Sequence, residues 1–464
     1  MNPQIFREYD VRGIADEDLT DEVVENLGWA YGSLIRDEGG NKVVVGRDVR
    51  LSSERLRDAL CSGIRKSGCD VTDVGEVPSP ALYFSILHLN MDGGVMITGS
   101  HNPLEYNGFK LCLGIASIYG EAIQRLRERI ERGDLVRGNG GFSQADTLPA
   151  YMAAITERIH LNRGLKVVLD AGNGGASEIA PEFFRRLGCE VIPLYCEIDG
   201  RFPNHLPDPT VPEYVVDLQR KVLETGADVG IGYDGDMDRI GVIDDEGKIL
   251  YGDRLLALYA RDVLSRNPGS PIIFDVKCSQ ALVEDIEAHG GRPLMGRTGH
   301  SLIKARMKAE DSPLAGEMSG HMFFADEYFG YDDALYASAR LVRLLAGTSE
   351  KLSEIAAGLP QYVATPEIRI ACSDEEKFDV VKAITEHFRA RYEVLDVDGV
   401  RVLFGDGWGL VRASNTQPVL VLRFEASTQK RLGEIAGTIL EELKRYPAVA
   451  GIEEVLMSVM GGEA

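Results

Sequence analysis

The pattern of apolar residues repeats three times along the chain. In each copy a short apolar run, within KVVV, LKVVLD or PIIFDV, is followed by an amphipathic stretch that ends at Gly68, Gly188 or Gly290. A second apolar run then follows. Short continuous apolar runs are typical of strands buried on both faces, and a 3.6-residue period that stops at glycine predicts a helix. The pattern therefore predicts three βαβ units in parallel or mixed sheets.

A polar loop follows a later apolar run in each copy. The loops are TGSHNP at 98–103, DGDMDR at 234–239 and GEMSGH at 316–321. Ligands bind outside the carboxyl ends of strands in open α/β sheets, so we expect three related domains to bring these loops to one site. The expected segments are 1–148, 149–249, 250–362 and 363–464.

The last hundred residues follow a different pattern. IRIACSD is strand-like, EEKFDVVKAITEHFRARY has a helical period, and two alternating runs with Asp-Gly turns are typical of antiparallel hairpins. A final helix is predicted over RLGEIAGTILEELKRY. These features predict a small α+β domain with one helical face.

Charge and cysteine content narrow the classes of function. The chain has 50 basic and 73 acidic residues, a net charge of −23, which disfavours non-specific binding to nucleic acid or to anionic membranes. No apolar run approaches the ~20 residues of a membrane-spanning helix. The seven cysteines include no CxxC pair, so we expect reduced thiols and a cytoplasmic protein.

The loop DGDMDR carries the strongest chemical signal. Asp234, Asp236 and Asp238 alternate, so an extended loop would point all three carboxylates to one side. Oxygen ligands of this kind suit a hard cation such as Mg²⁺. An EF-hand is excluded, because Arg239 stands where that loop needs glycine and Asp245 where it needs glutamate. The alternative is a solvated acidic turn.

Three other loops offer polar groups for an anion or a sugar. TGSHNP contains Ser100 but lacks the GxSxG elbow of hydrolases, and the adjacency of His101 argues against a Ser–His base pair. In GEMSGH, Glu317 and Ser319 could hydrogen-bond vicinal hydroxyls. RASNTQP offers donors for a phosphate, namely Arg412, Ser414, Asn415 and Thr416. Each loop taken alone could equally be an ordinary turn.

Taken together, these motifs resemble the α-D-phosphohexomutases, and most closely the bacterial phosphomannomutase/phosphoglucomutase group. YDVRG at Tyr9–Gly13, TGSHNP, NGFK ending at Lys110, DGDMDR, GEMSGH and RASNTQP occur in family order over the whole chain. The resemblance implies three related mixed α/β domains and a C-terminal α+β domain, around a central cleft. The fourth domain would resemble the TATA-box-binding-protein fold.

The resemblance also implies site residues. Ser100 would carry an activated phosphate, the three aspartates would hold Mg²⁺ together with the phosphoserine oxygen, and the GEMSGH and RASNTQP side chains would read sugar hydroxyls and the distal phosphate. Looser matches imply phosphate contacts or acid–base help from Tyr9, Arg12, Lys110, Arg239, Lys277, His300 and His321. For the two histidines and Lys277 the alternative is a structural role or simple solvation.

The implied activity is interconversion of hexose 1-phosphate and hexose 6-phosphate, for mannose and glucose, through a hexose 1,6-bisphosphate. Sugar phosphates would be the only partners, with no nucleic acid or membrane, and the protein would be a monomer or a weak homo-oligomer. Three alternatives remain: a phosphoglucosamine mutase, a haloacid-dehalogenase-like phosphatase with Asp234 as nucleophile, and a non-catalytic sugar-phosphate-binding protein.

Overall fold

The fold comes from a computed structural model, which describes residues 1–414 and 417–460. Within these ranges the secondary structure forms four sheets, three of them mixed and the last antiparallel. Across the same ranges, none of the helices combines the length and the apolar character that a membrane span needs.

The first sheet has seven strands in the order β1-β5-β4-β2-β3-β7, with β6 beside β5. Helix α2 buries Leu56, Leu60 and Ile64 on one face, and Gly68 follows its end in the left-handed conformation, with φ +87°. The elements are β1 Val11–Ile14, α1 Asp21–Asp37, β2 Lys42–Arg47, α2 Ser53–Lys66, β3 Asp70–Glu76, α3 Ser79–His88, β4 Gly93–Ile97, β5 Tyr106–Leu113, β6 Ala116–Ser117, α4 Glu121–Arg132 and β7 Phe142–Gln144.

The second sheet has the order β12-β11-β10-β8-β9. The expected boundary after residue 249 divides its last strand, β12. The elements are α5 Leu148–Thr156, β8 Lys166–Asp170, α6 Ile179–Arg186, β9 Glu190–Leu194, α7 Val216–Thr225, β10 Val229–Tyr233, β11 Ile240–Ile243 and β12 Ile249–Leu250.

The third sheet has the order β14-β13-β15-β16. Its elements are α8 Gly252–Arg266, β13 Pro271–Asp275, α9 Gln280–Ala288, β14 Arg292–Gly296, α10 His300–Ala309, β15 Leu314–Gly316, β16 Met322–Phe324, α11 Ala334–Ala346 and α12 Leu352–Ala357.

The predicted threefold repeat is confirmed, and it extends further than the βαβ unit. In every copy the first strand pairs in parallel with the next strand on one side and with the loop-bearing strand on the other. An antiparallel strand then pairs with the loop-bearing strand. The loops after β4, β10 and β15 therefore leave equivalent positions of three equivalent sheets, at carboxyl ends of strands.

The C-terminal sheet is antiparallel, as its hairpin pattern predicts. Its elements are β17 Val363–Ala364, β18 Ile368–Ala371, α13 Lys377–Arg389, β19 Glu393–Leu395, β20 Val400–Leu403, β21 Gly407–Ala413, β22 Val419–Ala426, α14 Gln429–Leu443 and α15 Ile452–Met460. The sequence pattern predicts α13 and α14 but not α15. Resemblance of this domain to the TATA-box-binding-protein fold stays a prediction.

One apolar core joins the first three sheets. Val44 of β2, Leu169 of β8 and Ile272 of β13 belong to a single buried cluster, whereas the C-terminal domain has its own core. Val276, just after β13, packs with Trp408 and Leu410 of β21 and so connects the third and fourth sheets. Because the polar loops leave these sheets, the shared cores set the positions of the four loops relative to one another.

Candidate active site

Ser100 lies in a strained position at the end of β4. Its φ is +46°, in the left-handed region that non-glycine residues rarely adopt, and only 3% of its surface is exposed. Its hydroxyl donates a hydrogen bond to Asp234 Oδ2 at 2.7 Å, and Nδ1 of His101 lies 2.9 Å from the same Oγ. Backbone strain of this kind is concentrated at functional sites, because the surrounding structure must hold it.

His101 lies against the Ser100 hydroxyl although the two residues are adjacent in sequence, but this hydroxyl donates to Asp234, so the contact does not make His101 its base and the argument against a Ser–His base pair stays a prediction. The left-handed turn at Ser100 folds the next side chain back onto its hydroxyl, which sequence spacing alone does not reveal. Burial is the main reason that the pKa of His101 lies well below its ordinary value, with the charges of Arg239 and Arg12 acting in the same direction. His101 is therefore neutral near pH 7.

Two buried residues of the loop after β2, Asp48 and Arg50, hold the turn at Ser100. The guanidinium of Arg50 donates to four backbone carbonyls, those of Ser100, Asn102, Pro103 and Tyr106. Asp48 accepts from the backbone N–H of Gly99 at 3.0 Å. A Cβ at Gly99 would lie 2.4 Å from Arg50 Nε, so glycine is required for this packing. No sequence motif predicts these contacts of Arg50 and Asp48.

The three aspartates after β10 form one buried oxygen cluster. Asp234, Asp236 and Asp238 each offer an oxygen, these oxygens lie within 4.8 Å of one another, and none of the three residues is more than 1% exposed. Oδ1 of Asp236 and Oδ1 of Asp238 have no hydrogen-bond partner among the described residues. Buried carboxylate oxygens left in this way fit a hard divalent cation that needs oxygen ligands.

Lys110 contributes positive charge to the same cluster. Its Nζ lies 2.5 Å from Asp236 Oδ2 and 2.5 Å from Asp238 Oδ2. Burial alone would lower the pKa of Lys110, but the two carboxylates outweigh it and raise the pKa above its ordinary value. For Asp238 the same contact outweighs burial and lowers the pKa. The ammonium thus stays charged and neutralises part of the triplet.

Asp234 differs from the other two carboxylates. Its Oδ1 accepts the backbone N–H groups of Asp238 and Arg239, both at 3.0 Å. Burial, followed by the charges of Asp238 and Asp236, raises the pKa of Asp234 well above its ordinary value. The Cβ of a residue replacing Gly235 would lie 2.4 Å from the carbonyl oxygen of Ser100, so glycine is what lets the serine loop and the aspartate loop touch.

The GEMSGH loop after β15 lies against the aspartate loop. Glu317 is buried, its Oε1 accepts the N–H of Gly299 at 2.7 Å, and burial is the main cause of its raised pKa. Arg239 Nε donates to His321 Nε2 at 2.9 Å. The rings of His300 and His321 stack with centroids 5.5 Å apart. Ser319 lies in the same turn and is partly exposed.

The fourth loop is joined to the third domain through Asp398. This carboxylate accepts from Arg412 Nε at 3.1 Å and from the backbone N–H of Thr298, also at 3.1 Å. The carbonyl of Thr298 accepts from the hydroxyl of Tyr9 at 2.7 Å. Ser414 is buried at the end of β21. Two predicted phosphate ligands, Asn415 and Thr416, lie outside the described residues.

The remaining predicted residues sit beside acidic partners. Arg12 donates to Asp10 at 2.5 Å. Lys277 is 7% exposed and lies 3.0 Å from Glu367, and although burial would lower its pKa, the charges of Glu367 and Asp275 raise it. Lys277 is therefore not the solvated lysine that the sequence left open.

Several residues that touch the predicted site carried no sequence signal. Ser79, at the start of α3, donates its hydroxyl to Asp236 Oδ2 at 2.5 Å, and its N–H bonds the carbonyl of the same aspartate at 2.9 Å. Asp332 lies 3.2 Å from Nδ1 of His321, and Asp398 accepts a hydrogen bond from Arg412 Nε. Each stands outside the recognisable motifs and reaches the site only through the fold.

Comparison with known proteins gives matches along almost the whole chain. Family models described as phosphoglucomutase/phosphomannomutase match as alpha/beta/alpha domain I at residues 3–137, domain II at 149–247, domain III at 251–362 and the C-terminal domain at 367–442. These ranges follow the same order as the four sheets.

Individual relatives agree with the family models. A phosphomannomutase/phosphoglucomutase of Pseudomonas aeruginosa is 48% identical over 441 residues, covering 95% of each chain. A phosphoglucomutase of Neisseria gonorrhoeae is 44% identical over 448 residues, covering 96% of this chain and 97% of the relative. The crystal structure of a phosphoglucomutase/phosphomannomutase family protein from Burkholderia thailandensis is 43% identical, with a TM-score of 0.89, and covers 100% of this chain and 99% of its own. The chain belongs to the phosphoglucomutase/phosphomannomutase family of α-D-phosphohexomutases.

Proposed function

We propose that this protein interconverts the 1- and 6-phosphates of glucose and mannose, with Ser100 carrying the phosphoryl group between turnovers. The observation that supports this most directly is the 2.7 Å contact between Ser100 Oγ and Asp234 within the buried aspartate cluster. A phosphoserine at this place would put its oxygens among the unsatisfied carboxylates of Asp236 and Asp238, where like charges require a cation.

Asp234, Asp236 and Asp238 would hold Mg²⁺ together with an oxygen of the phosphoserine. When bound, the ion supplies positive charge to the transferring phosphoryl group. Lys110 pairs with Asp236. Burial would lower the pKa of Arg239, but the charges of nearby carboxylates, Asp234 and Asp238 among them, raise it, so both basic residues add the charge neutralisation that phosphoryl transfer mainly requires. We expect Arg12 to contribute positive charge to the phosphoryl group as well. The reaction needs no nucleotide, because one phosphate ester replaces another.

In the first transfer, the bond between phosphorus and Ser100 Oγ breaks and a bond to the free sugar hydroxyl forms. The hydroxyl proton passes to a base of the site, and Ser100 recovers a proton. The product is a hexose 1,6-bisphosphate, which reorients and returns its other phosphate to Ser100. Enclosure between the four domains would keep water from the phosphoserine, as the resemblance to the family implies.

The GEMSGH and RASNTQP loops would bind the sugar and its distal phosphate, respectively. Glu317 and Ser319 would bind the 3- and 4-hydroxyls, and Arg412, Ser414, Asn415 and Thr416 would bind the phosphate that does not react. Tyr9, Lys277, His300 and His321 would complete these contacts. Such a site recognises only groups that the substrate presents in both of its orientations.

The rival assignments receive less support. A phosphatase with Asp234 as nucleophile would need a free carboxylate oxygen, but Oδ1 accepts two backbone N–H groups and Oδ2 accepts the Ser100 hydroxyl. The relatives compared above are named for glucose and mannose rather than for glucosamine.

Intact-mass measurement and a mutase assay test the proposal together. We expect a mass increment of ~80 Da on the purified protein, located on Ser100 and absent from Ser100→Ala. That variant should lose nearly all mutase activity but still bind sugar phosphate. Ser265→Ala, at an exposed serine of α8, is the matched control and should keep both properties. Activity of Ser100→Ala above a few per cent of the parent would rule out the phosphoserine mechanism.

A further inference from the structure

Asp332 is a buried carboxylate between β16 and α11 that none of the motifs includes. It is 0% exposed. Its Oδ2 lies 3.3 Å from Nδ1 of His300 and 3.2 Å from Nδ1 of His321, and its Oδ1 lies 3.0 Å from the ammonium of Lys304. One carboxylate therefore meets both of the stacked histidines of the site.

The atoms in this contact are buried polar atoms that need partners. Among the described residues, Nδ1 of His300, Nδ1 of His321 and Oδ2 of Asp332 are buried and lack a hydrogen bond of ideal geometry. A carboxylate oxygen can only accept, so both contacts are favourable only when each Nδ1 carries the hydrogen. The separations are long for hydrogen bonds, but the neighbouring polar atoms all favour a hydrogen on Nδ1: His321 Nδ1 also lies 3.6 Å from Oδ1 of Asp238, another carboxylate oxygen that can only accept.

For His321 a second contact requires the same tautomer. Arg239 Nε donates to Nε2 of this ring at 2.9 Å, and an arginine nitrogen cannot accept, so Nε2 must present its lone pair. The ring is thus fixed from both sides, with the hydrogen on Nδ1. For His300, burial lowers the pKa to about 4, which keeps that ring neutral near pH 7.

A metal site is the competing interpretation of the same atoms. Asp238, His321 and Asp332 each offer an atom within 4.8 Å of the others. A metal at Nδ1 would need the lone pair there and would move the hydrogen to Nε2, directly against the Arg239 donor. Lys304 already neutralises the outer oxygen of Asp332. A hydrogen-bonding role for Asp332 fits these contacts better.

We propose that Asp332 is a positioning residue that holds His300 and His321 in the Nδ1–H tautomer, so that Nε2 of each ring keeps its lone pair: in His321 it accepts from Arg239, and in His300 it serves as the acceptor for a substrate group. This inference rests on the proposed mutase function, in which a sugar hydroxyl must give up its proton and other hydroxyls need acceptors. The ring that receives this proton needs a free lone pair at Nε2, which favours His300, because Arg239 already donates to Nε2 of His321. Asp332 supplies that arrangement without touching the substrate.

Histidine NMR of the wild-type protein tests the tautomers without any assay. In a ¹⁵N-histidine sample at pH 7.5, the signals of His300 and His321 are assigned by their loss in His300→Gln and His321→Gln. We expect both rings to show a protonated Nδ1 and an unprotonated Nε2. An Nε2–H tautomer at either ring would overturn the proposal, whether or not the protein proves to be a mutase.

Asp332→Asn then tests the consequence. The amide can donate to Nδ1 and so favours the opposite tautomer. We expect kcat to fall by about 10²–10⁴-fold with a much smaller change in KM, and the Nδ1–H signals to be lost. Lys304→Gln is the matched control, since it removes the charge on Oδ1 but keeps both histidine contacts; its tautomers should be unchanged and its kcat much closer to the parent. Unchanged kcat in a folded Asp332→Asn, or equal loss in both variants, would overturn the assignment.

Discussion

The ammonium of Lys110 lies 2.5 Å from Asp236, inside a cluster that also contains Asp234 and Asp238. All four side chains are buried, so the lysine is the nearest compensation for three like charges. Removing one partner of a buried ion pair leaves an uncompensated charge, which is far more costly than the loss of an exposed pair.

This relationship predicts a metal-dependent stability defect. Lys110→Met should lower the free energy of unfolding by about 3–5 kcal/mol in EDTA, and added Mg²⁺ should restore part of it. Urea unfolding with and without Mg²⁺ measures both. Lys66→Met is the control: its pair with Glu25 is 43% and 33% exposed, so a loss of only about 0–1 kcal/mol is expected. Equal unfolding midpoints for the two variants would contradict the assigned role of Lys110.

Removal of the metal should abolish phosphoryl transfer. Chelation by EDTA leaves the charge of the phosphoryl group uncompensated, and Asp238→Asn removes one ligand charge, so activity should fall steeply and recover partly at high Mg²⁺. Asp379→Asn, on the exposed face of α13, should behave like the parent. Coupled assays over a Mg²⁺ titration measure this. Full activity after exhaustive chelation would exclude the metal assignment.

His205, in the segment after β9, should make the free energy of unfolding depend on pH. Nδ1 of His205 lies 2.9 Å from the carbonyl of Leu206, and Nε2 lies 3.2 Å from Asp170, so both nitrogens face acceptors and the imidazolium satisfies both. Burial opposes the charged form, but Asp170 outweighs it and raises the pKa of His205 above its ordinary value. Pro207, two residues on, lies beside the aspartate loop, since a Cβ built on Gly235 would come within 3.2 Å of its side chain.

The sign of the effect follows from linkage. Because the folded-state pKa is raised, the stabilisation is complete below the ordinary value of about 6.5 and is lost as the pH rises through the folded-state pKa. His205→Gln should therefore cost about 1–2 kcal/mol near pH 5.5 and progressively less towards pH 9. Unfolding curves at several pH values give the difference. A difference that stays constant over this range would show that His205 is not charged.

Asp398 is expected to act on substrate binding. It holds Arg412 Nε and the N–H of Thr298, so Asp398→Asn should leave the guanidinium less well oriented. Loss of a charged hydrogen bond predicts roughly a tenfold or greater rise in KM, with a smaller effect on kcat. Asp396→Asn is the control, because Asp396 is 60% exposed and its ion pair within the described residues is with Arg389, away from Arg412. Steady-state kinetics would contradict the role if both variants gave the same KM.

The sequence predicts the parts of this molecule that local patterns define. Apolar runs and the glycines after α2 and α6 predict the repeated units, and alternation predicts the alignment of Asp234 and its neighbours. Asp332, Asp398 and Ser79 were missed because their partners lie more than ten residues away, at His321, Arg412 and Asp236. Contacts of this kind depend on how sheets are placed, which no local period encodes.

The last prediction concerns which sugars the site accepts. A bisphosphate that reverses its orientation between the two transfers must present matching hydroxyls in both orientations. The 3- and 4-hydroxyls exchange places when the sugar is reversed. Glu317, whose Oε1 is fixed by the N–H of Gly299, and Ser319 can serve both orientations if they read only these two groups. The site would then make no specific contact with the hydroxyl at C2.

Glucose and mannose differ only at C2, so their 1-phosphates should have comparable kcat/KM. Galactose 1-phosphate is inverted at C4. A site that hydrogen-bonds a hydroxyl lowers kcat/KM by up to ~10⁴–10⁵-fold for an analogue in which that hydroxyl is misplaced, so galactose 1-phosphate should be a poor substrate. Glu317→Gln should weaken glucose and mannose turnover together, because both lose the same acceptor. Initial rates with the three sugar phosphates decide the matter. A hundredfold preference between glucose and mannose would mean that the site contacts the C2 hydroxyl. Met318, between Glu317 and Ser319, and His321, two residues after Ser319, would then be the first positions to replace.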